Sequence, residues 1–102
     1  LEGDPSISAI LATDDRMAIG VLEYLAETGR SAPQDVSVIG CDDRPEGQLY
    51  PFQLTTIRQD ILEIGRNAAQ MMVRMIEDRD YQPVSLSLKP RLIVRNSTGP
   101  KK

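Results

Sequence analysis

Two stretches of the sequence end in paired carboxylates. "SAILATDD" (8–15) and "VSVIGCDD" (36–43) each carry an apolar run that reads as a strand, followed by two aspartates. Asp14 follows the first run, and Asp42 stands two residues beyond the second, behind Gly40. In open α/β sheets, ligands bind beyond the carboxyl ends of the strands. If the two strands are parallel neighbours, ~5 Å apart, Asp14 and Asp42 share one rim. Carboxylates accept hydrogen bonds strongly, so such a rim suits a ligand rich in hydroxyl or N–H groups, such as a sugar or a nucleoside. Magnesium is the competing occupant, because several aspartate oxygens at strand ends also suit a hard cation. The structural alternative has Asp14 capping the next helix and Asp42 and Asp43 in a solvated turn. For Asp14 the two readings stand level. For Asp42 binding leads, since no helix directly follows it to be capped.

Other stretches read more blandly. "TTIRQD" (55–60) puts Thr55, Thr56, Arg58 and Gln59 at the end of a third strand, and alone it reads as a surface turn with a helix cap. Cys41 reads as a small apolar filler beside the strand end. "MMVRM" (71–75) reads as the apolar face of a helix rather than a soft-metal site, and "NST" (96–98) matches a glycosylation acceptor in a chain with no sign of secretion.

Composition removes several chemistries. The chain has 102 residues, room for one domain, and its 40% hydrophobic content allows a modest core. One cysteine and no histidine leave no internal disulfide, no Cys/His zinc site and no Ser-His-Asp system. The chain therefore suits a reducing compartment. No nucleophile–base pair or phosphate loop is visible, so no enzyme is expected. The reading adopted for the whole sequence carries no cofactor, no metal and a cytoplasmic location. Net charge is −3 with the basic residues scattered, which argues against a nucleic-acid surface in this chain. The start "LEGDPS" has neither an initiator Met nor a signal-peptide pattern, so it is read as the interior of a longer chain.

The elements that must position these residues follow from periodicity. "ISAILA" (7–12) predicts a buried strand, and residues 15–28 place Met17, Ala18, Val21, Leu22, Leu25 and Ala26 at helical spacing, with Thr13 or Asp14 as cap and Gly29 just past the end. A second strand covers 36–40, giving a strand-helix-strand unit that predicts adjacent parallel strands. A loop with a helical turn near 45–49 leads to a strand at 54–57, then a helix from Asp60 to Glu77, and extended chain follows. The order β-α-β-β-α-β predicts an α/β fold: a parallel sheet with flanking helices.

Together, "AILATDDRMAIGVLEYLAETGRSAPQDVSVIGCDD", "LTTIRQDILEIGRNAAQMMVRMI" and "LKPRLIVRNST" closely resemble the C-terminal part of bacterial regulators of the lactose-repressor (LacI) family, from about Ser8 to Thr98. The resemblance implies part of a type I periplasmic-binding-protein-like fold. Residues 1–102 would be a C-terminal fragment of an effector-binding and dimerisation domain. In that family the domain binds a small molecule between two lobes and controls operator binding through a separate helix-turn-helix domain, absent here. It implies that Asp42, Asp14 and Ile61 contact effector, a sugar or nucleobase-like metabolite. Arg16, Ile19, Glu46, Leu49 and Tyr50 would lie at a homodimer or larger interface, with no membrane partner. Asp14 stands where the family usually has Asn, Cys41 where it has an aromatic, and "PFQLTT" where it has "PPLTT".

Two other functions compete. A sugar-binding protein of a transport system would use the same fold, but the "TTI" and "LIVR-ST" stretches match the cytosolic regulators. A phosphoacceptor receiver domain also uses an acidic pair at a strand end with a Lys-Pro dipeptide, yet Lys89-Pro90 here precedes a strand-like run instead of following one.

Overall fold

The computed structural model describes residues 1–101. The chain divides into two units, one made of Leu1–Arg58 with Arg91–Lys102 and the other of Gln59–Pro90.

In the first unit, β1 (Ala9–Leu11), β2 (Ser37–Cys41), β3 (Thr55–Arg58) and β4 (Arg91–Ile93) form one sheet in that spatial order. β1, β2 and β3 are parallel, with Leu11 opposite Ile39 and Ile39 opposite Thr55. β4 runs antiparallel to β3, Thr56 facing Ile93 and Arg58 facing Arg91. The parallel expectation therefore holds for three strands, and the fourth makes the sheet mixed. Its sense follows from the path of the chain, which leaves the unit after Arg58 and returns at Arg91 beside the same strand end.

Helix α1 (Asp15–Glu27) packs its Ala18 and Leu25 stripe on one face of the sheet, where Val36, Val38 and Leu54 complete a buried core. Ile10, Ala12, Val21 and Leu22 border it. Successive strand residues face opposite sides, so Leu11 and Ile39 lie on the other face, and Leu11 is 69% exposed. "ISAILA" was expected as a buried strand; only Ile10 of Ala9–Leu11 is even half-buried. The helix ends as its residues dictate: Asp14 accepts from Met17 N at 2.8 Å, and Gly29, with φ 76°, turns the chain after Thr28. Short helix α2 (Pro45–Gln48) begins with proline at its first position.

Ser97 stitches the sheet from the side of the C-terminal segment. Its Oγ donates to Val38 O at 2.6 Å and accepts from Thr55 N at 2.8 Å, while its own carbonyl accepts from Val38 N. Thr98 Oγ1 pairs with Thr55 Oγ1 at 2.9 Å.

The second unit carries α3 (Ile61–Glu77), capped by Asp60, which accepts from Glu63 N. Val84, Leu86 and Leu88 line a shallow groove with Ile64, Ala68 and Met71 of the helix. The guanidinium of Arg74 lies 5.0 Å from the centre of the Tyr81 ring. No residue of α3 is buried.

Candidate functional site

The two aspartate pairs share one division of labour. In each, the second aspartate is taken into the fold. Asp15 is 1% exposed; its Oδ1 accepts from Thr56 Oγ1 at 2.6 Å and its Oδ2 from the backbone N of Arg44 at 2.6 Å. Gly40 exists for this carboxylate, since a Cβ there would stand 2.3 Å from Asp15 Oδ1. The side chain of Asp43 is 5% exposed and sits 2.7 Å from Arg95 Nη2 and 3.9 Å from Arg58 Nη1. The closer contact lacks hydrogen-bond angles, so charge attraction holds it. Asp43 is therefore not in a solvated turn, as the structural alternative expected.

The first aspartate of each pair stays at the rim. Asp14 lies three residues past the end of β1 and Asp42 directly follows β2, and both are half-buried. Asp14 is the cap of α1 through Oδ1. Asp42 has φ 109° and Asp43 φ 58°, a left-handed turn that side chains other than glycine adopt at a cost of about 1–3 kcal/mol each. Arg44 completes the cluster. Its guanidinium is held charged first by the hydrogen bond with Glu46, at 3.1 Å, then by the charge of Glu46, with Asp42 and Asp14 contributing further. The Glu46 carboxyl is in turn drawn below its ordinary range, first by its own backbone N–H and then by Arg44, with Arg16 adding to the pull. Acceptors from Asp14 and Asp42 and donors from Arg44 in one neighbourhood suit a polyhydroxyl ligand, whose hydroxyls both give and receive hydrogen bonds.

The other expected residues fall as follows. Ile61 is the first residue of α3 in the second unit and is 63% exposed. Arg16 and Ile19 lie on α1, the first exposed and the second half-buried. Glu46 is on α2, which packs against α1. Leu49 and Tyr50 follow it and are 74% and 84% exposed. Arg44 and Arg95 were not singled out as site residues. The signal for Arg95 was present in the "R-x-S-T" ending, whose arginine and hydroxyls converge on Thr55 and Asp43.

Comparison with known proteins agrees with this architecture. Residues 2–98 match the family model "Periplasmic binding protein-like domain". The chain is 39% identical over 92 residues, 89% of its length, to the arabinose metabolism transcriptional repressor of Geobacillus stearothermophilus. Among solved structures, a LacI family transcriptional regulator from Arthrobacter sp. FB24 in complex with lactose shares 41% identity and a TM-score of 0.82, over 97% of this chain and 38% of that one. A LacI family regulator from Enterococcus faecium with bound ribose shares 33% identity and a TM-score of 0.86, over 95% of this chain and 36% of that one. The chain belongs to the periplasmic-binding-protein-like domain family, in the form carried by LacI-type transcriptional regulators. It spans about a quarter of the length of the arabinose repressor it matches.

Proposed function

We propose that residues 1–102 are a C-terminal part of the effector-binding and dimerisation domain of a bacterial LacI-type regulator. The regulator binds a sugar or related metabolite and thereby changes its affinity for operator DNA, which a domain outside this chain reads. The observation that carries this reading is the placement of Asp14 and Asp42 just beyond the carboxyl ends of adjacent parallel strands, with Arg44 beside them. It is supported by the lactose and ribose held by two relatives of the same fold. Asp42 is the principal effector contact. Asp14 gives one oxygen to the helix cap and keeps the other for ligand, and the family resemblance adds Ile61 as an effector contact. Arg16, Ile19, Glu46, Leu49 and Tyr50 form the dimer surface.

Such a protein works in the cytoplasm, does no covalent chemistry and needs neither cofactor nor metal. The described helices include none long and apolar enough to cross a membrane. The magnesium reading is weakened because Asp15 and Asp43 are already committed to Thr56, Arg44 and Arg95. Operator binding by the full-length protein tests the proposal. A mobility-shift titration should move when lactose or ribose is added, and an operator affinity indifferent to both sugars would count against it.

A further inference from the structure

Three successive backbone amides after β2 are each held by a different acceptor. Asp42 N donates to Ile57 O at 2.8 Å, Asp43 N to Thr56 Oγ1 at 3.4 Å and Arg44 N to Asp15 Oδ2 at 2.6 Å. The Asp43 carboxylate is fixed between Arg95 and Arg58. Arg58 ends β3 and Arg95 follows β4, the two strands by which the chain leaves and re-enters the unit. Arg95 is itself anchored, its Nη1 donating to Leu54 O at 2.8 Å and its backbone N to Thr55 Oγ1 at 2.9 Å. Glycine would adopt the turn freely, but a glycine at 42 would carry no carboxylate. The left-handed backbone at Asp42 and Asp43 must therefore be imposed by tertiary contacts.

We infer that Asp15 and the Asp43–Arg95 ion pair are positioning residues for effector: they hold the turn that presents Asp42, so its carboxylate is fixed on the rim before ligand arrives. The inference rests on the reading of Asp42 as an effector contact. A preorganised acceptor pays less ordering entropy on binding. It also makes effector affinity sensitive to a pair that never touches the ligand.

Hydrogen exchange on the full-length regulator, with no sugar added, tests the brace without any ligand. Asn accepts left-handed backbone, so Asp43→Asn removes the charge while allowing the turn, and Arg95→Gln removes the partner. Amides of residues 42 to 44 should exchange at least tenfold faster in both variants, with Val38 and Thr55 amides unchanged. Unchanged rates at 42 to 44, or a uniform rise across the sheet, would overturn the inference. Lactose titrations of the full-length regulator separate the brace from the site. Asp42→Asn should weaken binding, and adding Asp43→Asn to it should weaken binding no further, the non-additivity of residues that act as one unit. Independent, additive losses would overturn the brace and leave Asp42 its role. No lactose binding, or binding that Asp42→Asn leaves unchanged, counts against the site, and the exchange rates then decide the brace alone.

Discussion

The carboxylate of Asp15 lies against the bare backbone of Gly40, with room for a hydrogen and not for a methyl. A Cβ at residue 40 would meet Asp15 Oδ1 at 2.3 Å, Leu54 Cδ2 at 2.9 Å and Asp15 Cα at 3.2 Å. Asp15 is buried and bonded at both oxygens, so it cannot swing aside cheaply. Gly40→Ala should destabilise the chain by about 2–3 kcal/mol through overpacking and strain on the buried carboxylate. Urea unfolding should show a lower midpoint at an unchanged slope. A midpoint equal to that of the parent chain would contradict the fit.

Ser97 satisfies two buried backbone groups on different strands with one hydroxyl. Ser97→Ala leaves the carbonyl of Val38 and the amide of Thr55 without that partner, at a cost of about 2–3 kcal/mol. Ser97→Thr keeps the hydroxyl and should lose less. Equal stability of the alanine variant and the parent in chemical denaturation would refute this account of the "RNST" ending.

Glu2 and Tyr24 give a pH signature. The Tyr24 hydroxyl donates to Glu2 Oε1 at 2.5 Å and, ahead of the residue's own backbone and Arg30, draws the Glu2 carboxyl below its ordinary 4.5. A depressed carboxylate adds stability above its unfolded value and loses it as pH falls through the lower folded value. In Tyr24→Phe the Glu2 titration, followed by NMR, should move up toward 4.5. An identical titration curve in the variant would show that the hydroxyl is not the cause.

Helix α3 exposes Ile61, Leu62, Met72 and Ile76, each more than half accessible, and buries none of its residues. Covering one such side chain is worth ~1.5–3 kcal/mol, and apolar surface of this extent attracts partners. The isolated chain should sediment at micromolar concentration as a dimer or larger species. A single 11.3 kDa species with cooperative unfolding would contradict this.

Much of this architecture was legible in the residues because local signals agreed. Helical spacing of Ala18, Val21, Leu22 and Leu25, the Asp14 cap and Gly29 fixed α1 to within a residue. The strand-helix-strand unit implied parallel β1 and β2, which pair in that sense. The sense of β4 was not legible, since no local pattern distinguishes a parallel from an antiparallel edge strand and the register depends on a return path of some thirty residues. In the site, the aspartates announced themselves, but their roles did not. Asp15 and Asp43 look in sequence like Asp14 and Asp42, and only the approach of Thr56, Gly40 and Arg95 from distant segments separates the buried pair from the rim pair.

The central claim is that Asp42 supplies the dominant effector contact, and calorimetry of the full-length regulator with ribose and lactose tests it most directly. Loss of a charged hydrogen-bond acceptor from a desolvated cleft costs about 2–3 kcal/mol. At least one of the sugars should bind the parent protein and bind Asp42→Ala weaker by that amount, with the fold intact by circular dichroism. Binding of neither sugar, or equal affinity in the parent and in Asp42→Ala, would contradict the account.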